Sequence, residues 1–216
     1  MKNLSLLLKL ASAGLLLLTF VIMILNHTQW LSDYVLSIGK SHFVYHIDVQ
    51  TVLAVIRCLL IIFFFVALSI GKINDKRMLL ASGTGILGVV FSVAYIPLFI
   101  IYALVLSSYI EFESFAILAN VRWFLAVICI VLSQLLMYKF LSIKDNMLPL
   151  VIAICAEVVI EILVHYGLIE IIPGIYEYYN LINVLFSAVW GLLYALLIFQ
   201  YSRNIDKYLL QESAEI

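Results

Sequence analysis

Two arginines and two glutamates lie inside stretches of sequence that are otherwise apolar. Arg57 and Arg122 each fall about seven residues inside the outer end of such a stretch, roughly 10 Å deep at about 1.5 Å per helical residue. Glu157, Glu161 and His165 recur every fourth position, which places all three along one face of a helix. Counted from the same outer boundary, Glu161 is about five residues deep and Glu157 about nine, roughly 8 and 14 Å. The two acids therefore bracket the two guanidiniums. A charged side chain at the centre of a bilayer costs at least about 2.5 kcal/mol even on the lenient insertion scale. Two cations and two anions at one depth offset one another if their helices adjoin, and Asn120 and Asn183 can add hydrogen bonds. The chemistry on offer is recognition. Guanidinium grips carboxylate or phosphate at two points, and glutamate receives an amine or a proton. The simpler use of the same groups is a set of interhelical salt bridges that fixes packing.

A metal is the second chemistry these residue types allow. Glu157, Glu161 and His165 can present ligands from successive turns, as can His42 and His46 with Asp48 outside the membrane. His and carboxylate suit zinc or iron. The chain has no HExxH motif, and His27, His42 and His46 read more simply as interfacial side chains. There is no GxSxG elbow, no cysteine with a histidine at a recognisable spacing and no Walker-type phosphate loop. Haem has only His165 on a span, near its edge. The three cysteines, Cys58, Cys129 and Cys155, lie in apolar runs without a CxxC and read as small buried hydrophobes. No cofactor is strongly implied, and no basic, aromatic-interleaved patch suggests nucleic acid.

The elements that must position these groups follow from composition. The chain has 216 residues, 66% of them hydrophobic, with a mean hydropathy of +1.18. A soluble domain is about half apolar. Here the excess gathers in continuous runs of roughly 20 residues, enough for a helix to cross a ~30 Å hydrocarbon layer. Only structures with closed backbone hydrogen bonding span lipid, and the lack of alternation favours helices over a barrel. The expectation is an all-α membrane protein, a single polytopic transmembrane domain over 1–216. Its bundle of six transmembrane helices falls at about 4–25, 49–70, 78–106, 115–138, 147–166 and 180–201. The first run continues without a small-x-small cleavage site before Asn26-His27-Thr28 and reads as an uncleaved helix. In the third, Pro97 predicts a kink, and Gly83, Gly85 and Gly88 predict close helix approach. Between the first two helices, Trp30, Leu31, Tyr34, Val35 and Ile38 approximate an apolar stripe, which predicts an interfacial helix in the first outer loop and, in a sharper form, a cap over the polar groups.

Charge sets the orientation. Nine of the 12 Lys and Arg residues (Lys2, Lys9, Lys72, Lys76, Arg77, Lys139, Lys144, Arg203 and Lys207) fall at the termini and in alternate loops, whereas the opposite loops hold only Lys40. Positive residues concentrate in the cytoplasm. Both termini are therefore expected inside, in a plasma (inner) membrane, with Trp30, Tyr34, Tyr109, Tyr176, Tyr178 and Tyr179 near the outer interface. A short similarity between Leu53-Ala54-Val55-Ile56-Arg57 and Leu118-Ala119-Asn120-Val121-Arg122 hints at a parallel repeat.

Three functions compete. The first is binding or transport of a small polar or zwitterionic solute through a buried Arg/Glu cluster. The second is a non-enzymatic sensory, assembly or partner-binding subunit. The third is an intramembrane metal-assisted enzyme, and the balance leans away from an enzyme. The lipid bilayer is the one sure partner. The patch Ala11-Ser12-Ala13-Gly14 would suit a partner membrane subunit or a homo-oligomer. No family motif is matched. In size and helix number the chain resembles many small bacterial membrane proteins, among them the substrate-capture subunits of vitamin transporters.

Overall fold

A computed structural model describes residues 2–28, 34–40, 43–71, 76–138, 148–164, 167 and 179–213. Long apolar runs without internal proline become α1 (Lys2–Thr28), α2 (Val49–Gly71), α5 (Phe112–Tyr138) and α7 (Tyr179–Ser213). The third run divides into α3 (Lys76–Val93) and α4 (Tyr95–Leu104), joined at Ala94. Pro97 explains the division. It has no N–H to offer the Val93 carbonyl four residues back, and its ring crowds that carbonyl. The ladder resumes with Leu98 N–H donating to the Ala94 carbonyl at 3.1 Å. The helix is thus interrupted at Ala94, three residues before the proline, with Ala94 itself in helical conformation (φ −64°, ψ −11°).

The remaining run gives α6 (Leu148–Leu163), 16 residues long. At about 1.5 Å per residue it rises about 24 Å, less than the expected 147–166 helix. Five segments among the described residues are long and apolar enough to cross a membrane: Asn3–Leu25, Thr51–Ile70, Lys76–Leu104, Phe112–Met137 and Leu181–Asn204. The protein is a multi-span, largely helical membrane protein with five to six candidate spans. Leu17 and Ile117 are 66% and 67% exposed, along with many other large apolar side chains. Such a surface suits hydrocarbon and would be a liability in water.

The segment expected as an interfacial helix is instead a hairpin. Strand β1 (Tyr34–Lys40) pairs antiparallel with β2 (Phe43–Asp48), aligning Ser37 with His46 and Gly39 with Val44. The apolar stripe at Tyr34, Val35 and Ile38 misled because three-to-four spacing also occurs by chance in a short run. Val35, Ile38, Val44 and Ile47 are β-branched, and with Tyr45 they favour a pleated surface. Trp30, Leu31 and His42 lie outside the described residues. The hairpin packs on α4, where Tyr45 stacks on Phe99 with ring centroids 5.4 Å apart. Phe99 in turn meets Phe115 of α5 edge-on at 5.0 Å.

The helices close a ring in chain order: α1 on α2, α2 on α3, α3 on α5, α5 on α6, α6 on α7 and α7 back on α1, with α2 also touching α7. The α1–α7 seam shows how sequence sets it. Ser5, Ser12 and Thr19 recur every seven residues and are all buried. Ser5 Oγ donates to the Ser202 carbonyl at 2.8 Å and Ser12 Oγ to the Ala195 carbonyl at 2.7 Å, so the helices run antiparallel. Beside Thr19 the partner position is Gly191, where a Cβ would collide with the Thr19 hydroxyl. The Ala11–Ser12 part of the small-residue patch is therefore used within the chain. Likewise Gly85 faces Phe65 and Gly88 faces Ile130, while Gly83 faces open space. Away from the hairpin the ring is filled: Phe64, Phe65, Ile61, Leu68, Met137, Ile154 and Tyr194 are fully buried.

Candidate functional site

Toward the hairpin the ring is not filled. A cavity of about 520 Å³ lies between the helices, and Arg57, Arg122, Glu157, Glu161 and Asn183 all line it. So do Asp48, Thr51, Ser92, Tyr95, Ser187 and Trp190. Helices α2, α5, α6 and α7 thus bring five of the six candidate ligand-binding residues to one space. Asn120, the sixth, is exposed and lies off the lining.

The arginines and glutamates do not neutralise one another as the depth argument expects. Arg57 Nη1 donates to the Ser187 carbonyl at 3.0 Å and to Ser187 Oγ at 2.7 Å, and its guanidinium lies 5.2 Å from the centre of the Trp190 ring. Arg122 Nη1 donates to the carbonyls of Phe91 and Ser92 at 2.7 and 2.8 Å, and Nε to the Ala119 carbonyl at 3.3 Å. Its guanidinium lies 5.6 Å from the centre of the Tyr95 ring. Among the described residues, neither arginine donates a hydrogen bond to Glu157. The reason is local supply. The break at Ala94 strips the last α3 carbonyls of their usual donors, and a cation is the natural cap for a helix C-terminus. Aromatic faces then hold the guanidiniums from the other side.

Glu157 is left with nothing. It is 6% exposed, and both carboxylate oxygens are buried without a hydrogen-bond partner. The Nε of Arg57 is buried and unpartnered as well. Glu161, one turn along, shares the cavity wall. At the hairpin end, Asp48 Oδ1 accepts from both the backbone N–H and the hydroxyl of Thr51 at 2.7 Å, which caps α2 and turns the hairpin into the helix. Tyr45, just before it on β2, has its phenol pushed up to about 12, by burial first and then by Tyr95 and Asp48.

Each set of candidate metal ligands is described only in part. Among the described residues no three His, Cys, Asp or Glu side chains gather to hold an ion. His42 and His165 lie outside the described residues. His46 sits exposed on β2 with Nδ1 2.9 Å from Ser37 Oγ, and Glu157 and Glu161 remain as a pair on the cavity.

Sequence reasoning missed the groups that hold the arginines. Ser187 and Trp190, three apart on α7, could have been found by matching their depth to Arg57. It also missed a polar pair under the cavity. Gln134, fully buried in the run Leu132-Ser133-Gln134-Leu135, donates Nε2–H to the Tyr194 hydroxyl at 3.2 Å. A glutamine in such a run is itself a signal. No protein-family model, curated protein or solved structure matches this chain, so the functional reading rests on its own geometry.

Proposed function

We propose that this membrane protein binds or transports a small polar or zwitterionic solute through the cavity in the hairpin end of the bundle. The proposal takes the chain as one polytopic unit of six crossings, with both termini cytoplasmic and the cavity in the outer half. One observation carries it: the buried Glu157 carboxylate has no hydrogen-bond partner and borders a space of about 520 Å³. Leaving a carboxylate buried and uncompensated costs on the order of several kcal/mol. A chain that keeps such a group beside an opening of solute size gains from an occupant that supplies what is missing. The balance of apolar wall and a few convergent polar groups is also what small-molecule pockets share.

The test is solute binding by the purified protein, set against Arg57→Ala, Arg122→Ala and Glu157→Gln. Loss of binding in folded variants supports the proposal. Intact binding in both arginine variants removes the arginines from the site, and intact binding in all three removes the site.

A second reading has one observation in its favour. Both arginines spend hydrogen bonds on neighbouring helices, which is how packing pegs behave. A non-enzymatic assembly or sensory subunit would use them so, and it would co-purify with a stoichiometric partner.

A further inference from the structure

Resting on the solute-binding reading, we propose that the cavity selects solutes bearing a primary ammonium group, anchored at the Glu157 carboxylate.

The charged groups on the cavity differ in what each still needs. Arg122 uses Nη1 on two α3 carbonyls and Nε on a third carbonyl, with Tyr95 beneath the guanidinium. Arg57 uses Nη1 on Ser187, and its remaining buried need is one Nε–H. A carboxylate seeking a two-point grip finds Nη1 of both arginines and Nε of Arg122 already committed. Glu157 is the reverse case. When ionised it is an acceptor only, with two oxygens and about four lone-pair directions. Neither oxygen has a donor. An ammonium carries three donors and one positive charge, so one group meets both the hydrogen-bond and the charge deficit.

The lining charge agrees. Among the described lining residues, Asp48, Glu157 and Glu161 set three carboxylates against the two guanidiniums, a formal excess of one negative charge when all are ionised. Burial in a low-dielectric wall strengthens that preference. The unpartnered Arg57 Nε then offers one acceptor-seeking contact to the rest of the solute. An amino acid-like solute can use both, with the amine as the stronger anchor.

Three small probes of similar size separate the groups: n-propylammonium, propionate and β-alanine. Trp123 and Trp190 line the cavity, so intrinsic fluorescence of the full chain in detergent reports occupancy. A hydrophobic carbodiimide that adds to buried carboxyls, with the adduct mapped to Glu157 by mass spectrometry, gives a second readout on the unaltered protein. The expected result is that n-propylammonium and β-alanine change the fluorescence and protect Glu157 from the carbodiimide, while propionate does neither. Glu157→Gln should weaken both amines about tenfold or more, the scale of a charge-assisted hydrogen bond. Propionate binding as well as the amines, or amine binding unchanged in Glu157→Gln, overturns the ammonium assignment and leaves solute binding standing. Silence of all three probes on the unaltered protein overturns both. Should Glu157→Gln fail to fold, the carbodiimide protection pattern decides alone.

Discussion

Arg122 on α5 caps the helix end that Pro97 creates on α3. The proline withholds an N–H from Val93, the helix stops at Ala94, and the guanidinium takes the carbonyls of Phe91 and Ser92. Each residue makes sense of the other. Without the break, those carbonyls would have partners in Tyr95 and Ile96 N–H, and Arg122 would be a charge in the span with no backbone to hold. A double-mutant cycle tests the link. Arg122→Ala alone should cost about 1.5–3 kcal/mol, the worth of hydrogen bonds from a charged donor. In a Pro97→Ala background, where α3 can run through into α4, the same change should cost less, with a coupling of about 0.5–3 kcal/mol. Thermal unfolding in detergent reads it, and additive losses would break the link.

The glycines make a paired prediction because their surroundings differ. At Gly191 a side chain would drive into Thr19 across the α1–α7 seam, where the Ser5 and Ser12 hydroxyls already donate to α7 backbone carbonyls. Gly191→Val should therefore overpack and cost about 1–3 kcal/mol. Gly83 meets nothing within 4 Å, so Gly83→Ala should be neutral or stabilise by up to about 1 kcal/mol through helix propensity. Melting temperatures of the two variants in the same detergent check the contrast.

The spans were legible because a lipid-crossing helix leaves a long, unambiguous apolar run, and Pro97 marks its own break. The candidate site was legible only in part. Depth alone gathers Arg57, Arg122, Glu157 and Glu161, since residues at one height in a ring of helices face a common centre. It does not say who partners whom. The partners of the arginines are backbone carbonyls, one set freed by a proline, and carbonyls carry no sequence signature. The hairpin was not legible either. Residues 34–48 hold two short strands, and over so few residues a helical stripe and a strand alternation share most of their positions. What separates them is β-branching and Gly39, whose φ of 153° other residues rarely adopt.

Tyr45 gives the hairpin a pH dependence. Its phenol is neutral when docked against Phe99, and burial with Tyr95 and Asp48 pushes it up to about 12 from an ordinary value near 10. A folded value above the unfolded one means its stabilising contribution is complete below about pH 10 and fades as pH rises toward 12. Tyr45→Phe keeps the ring and removes the proton. Its melting temperature should accordingly fall less steeply between about pH 10 and 12 than that of the unaltered chain. Parallel curves would show that the hairpin docks without sensing this group.

Orientation can be tested on the same element. The lysines and arginines at both termini and in alternate loops place the hairpin outside if positive residues stay in the cytoplasm. Ser37 is exposed on β1, and Ser213 closes α7 at the other end of the chain. In a background with Cys58, Cys129 and Cys155 replaced, Ser37→Cys should react with a membrane-impermeant maleimide on intact cells. Ser213→Cys should react only after the membrane is opened. Ser37 has its hydroxyl beside His46 on an exposed hairpin face, so a small change there should not disturb the bundle. The reverse labelling pattern would turn the molecule over and point the Glu157 cavity toward the cytoplasm, and any solute would then meet it from inside the cell. Labelling of both sites from one side would be worse for the six-crossing topology. It would mean an odd number of crossings between residues 37 and 213 has become even, and α6, the shortest helix, would be the first candidate for a segment that does not cross.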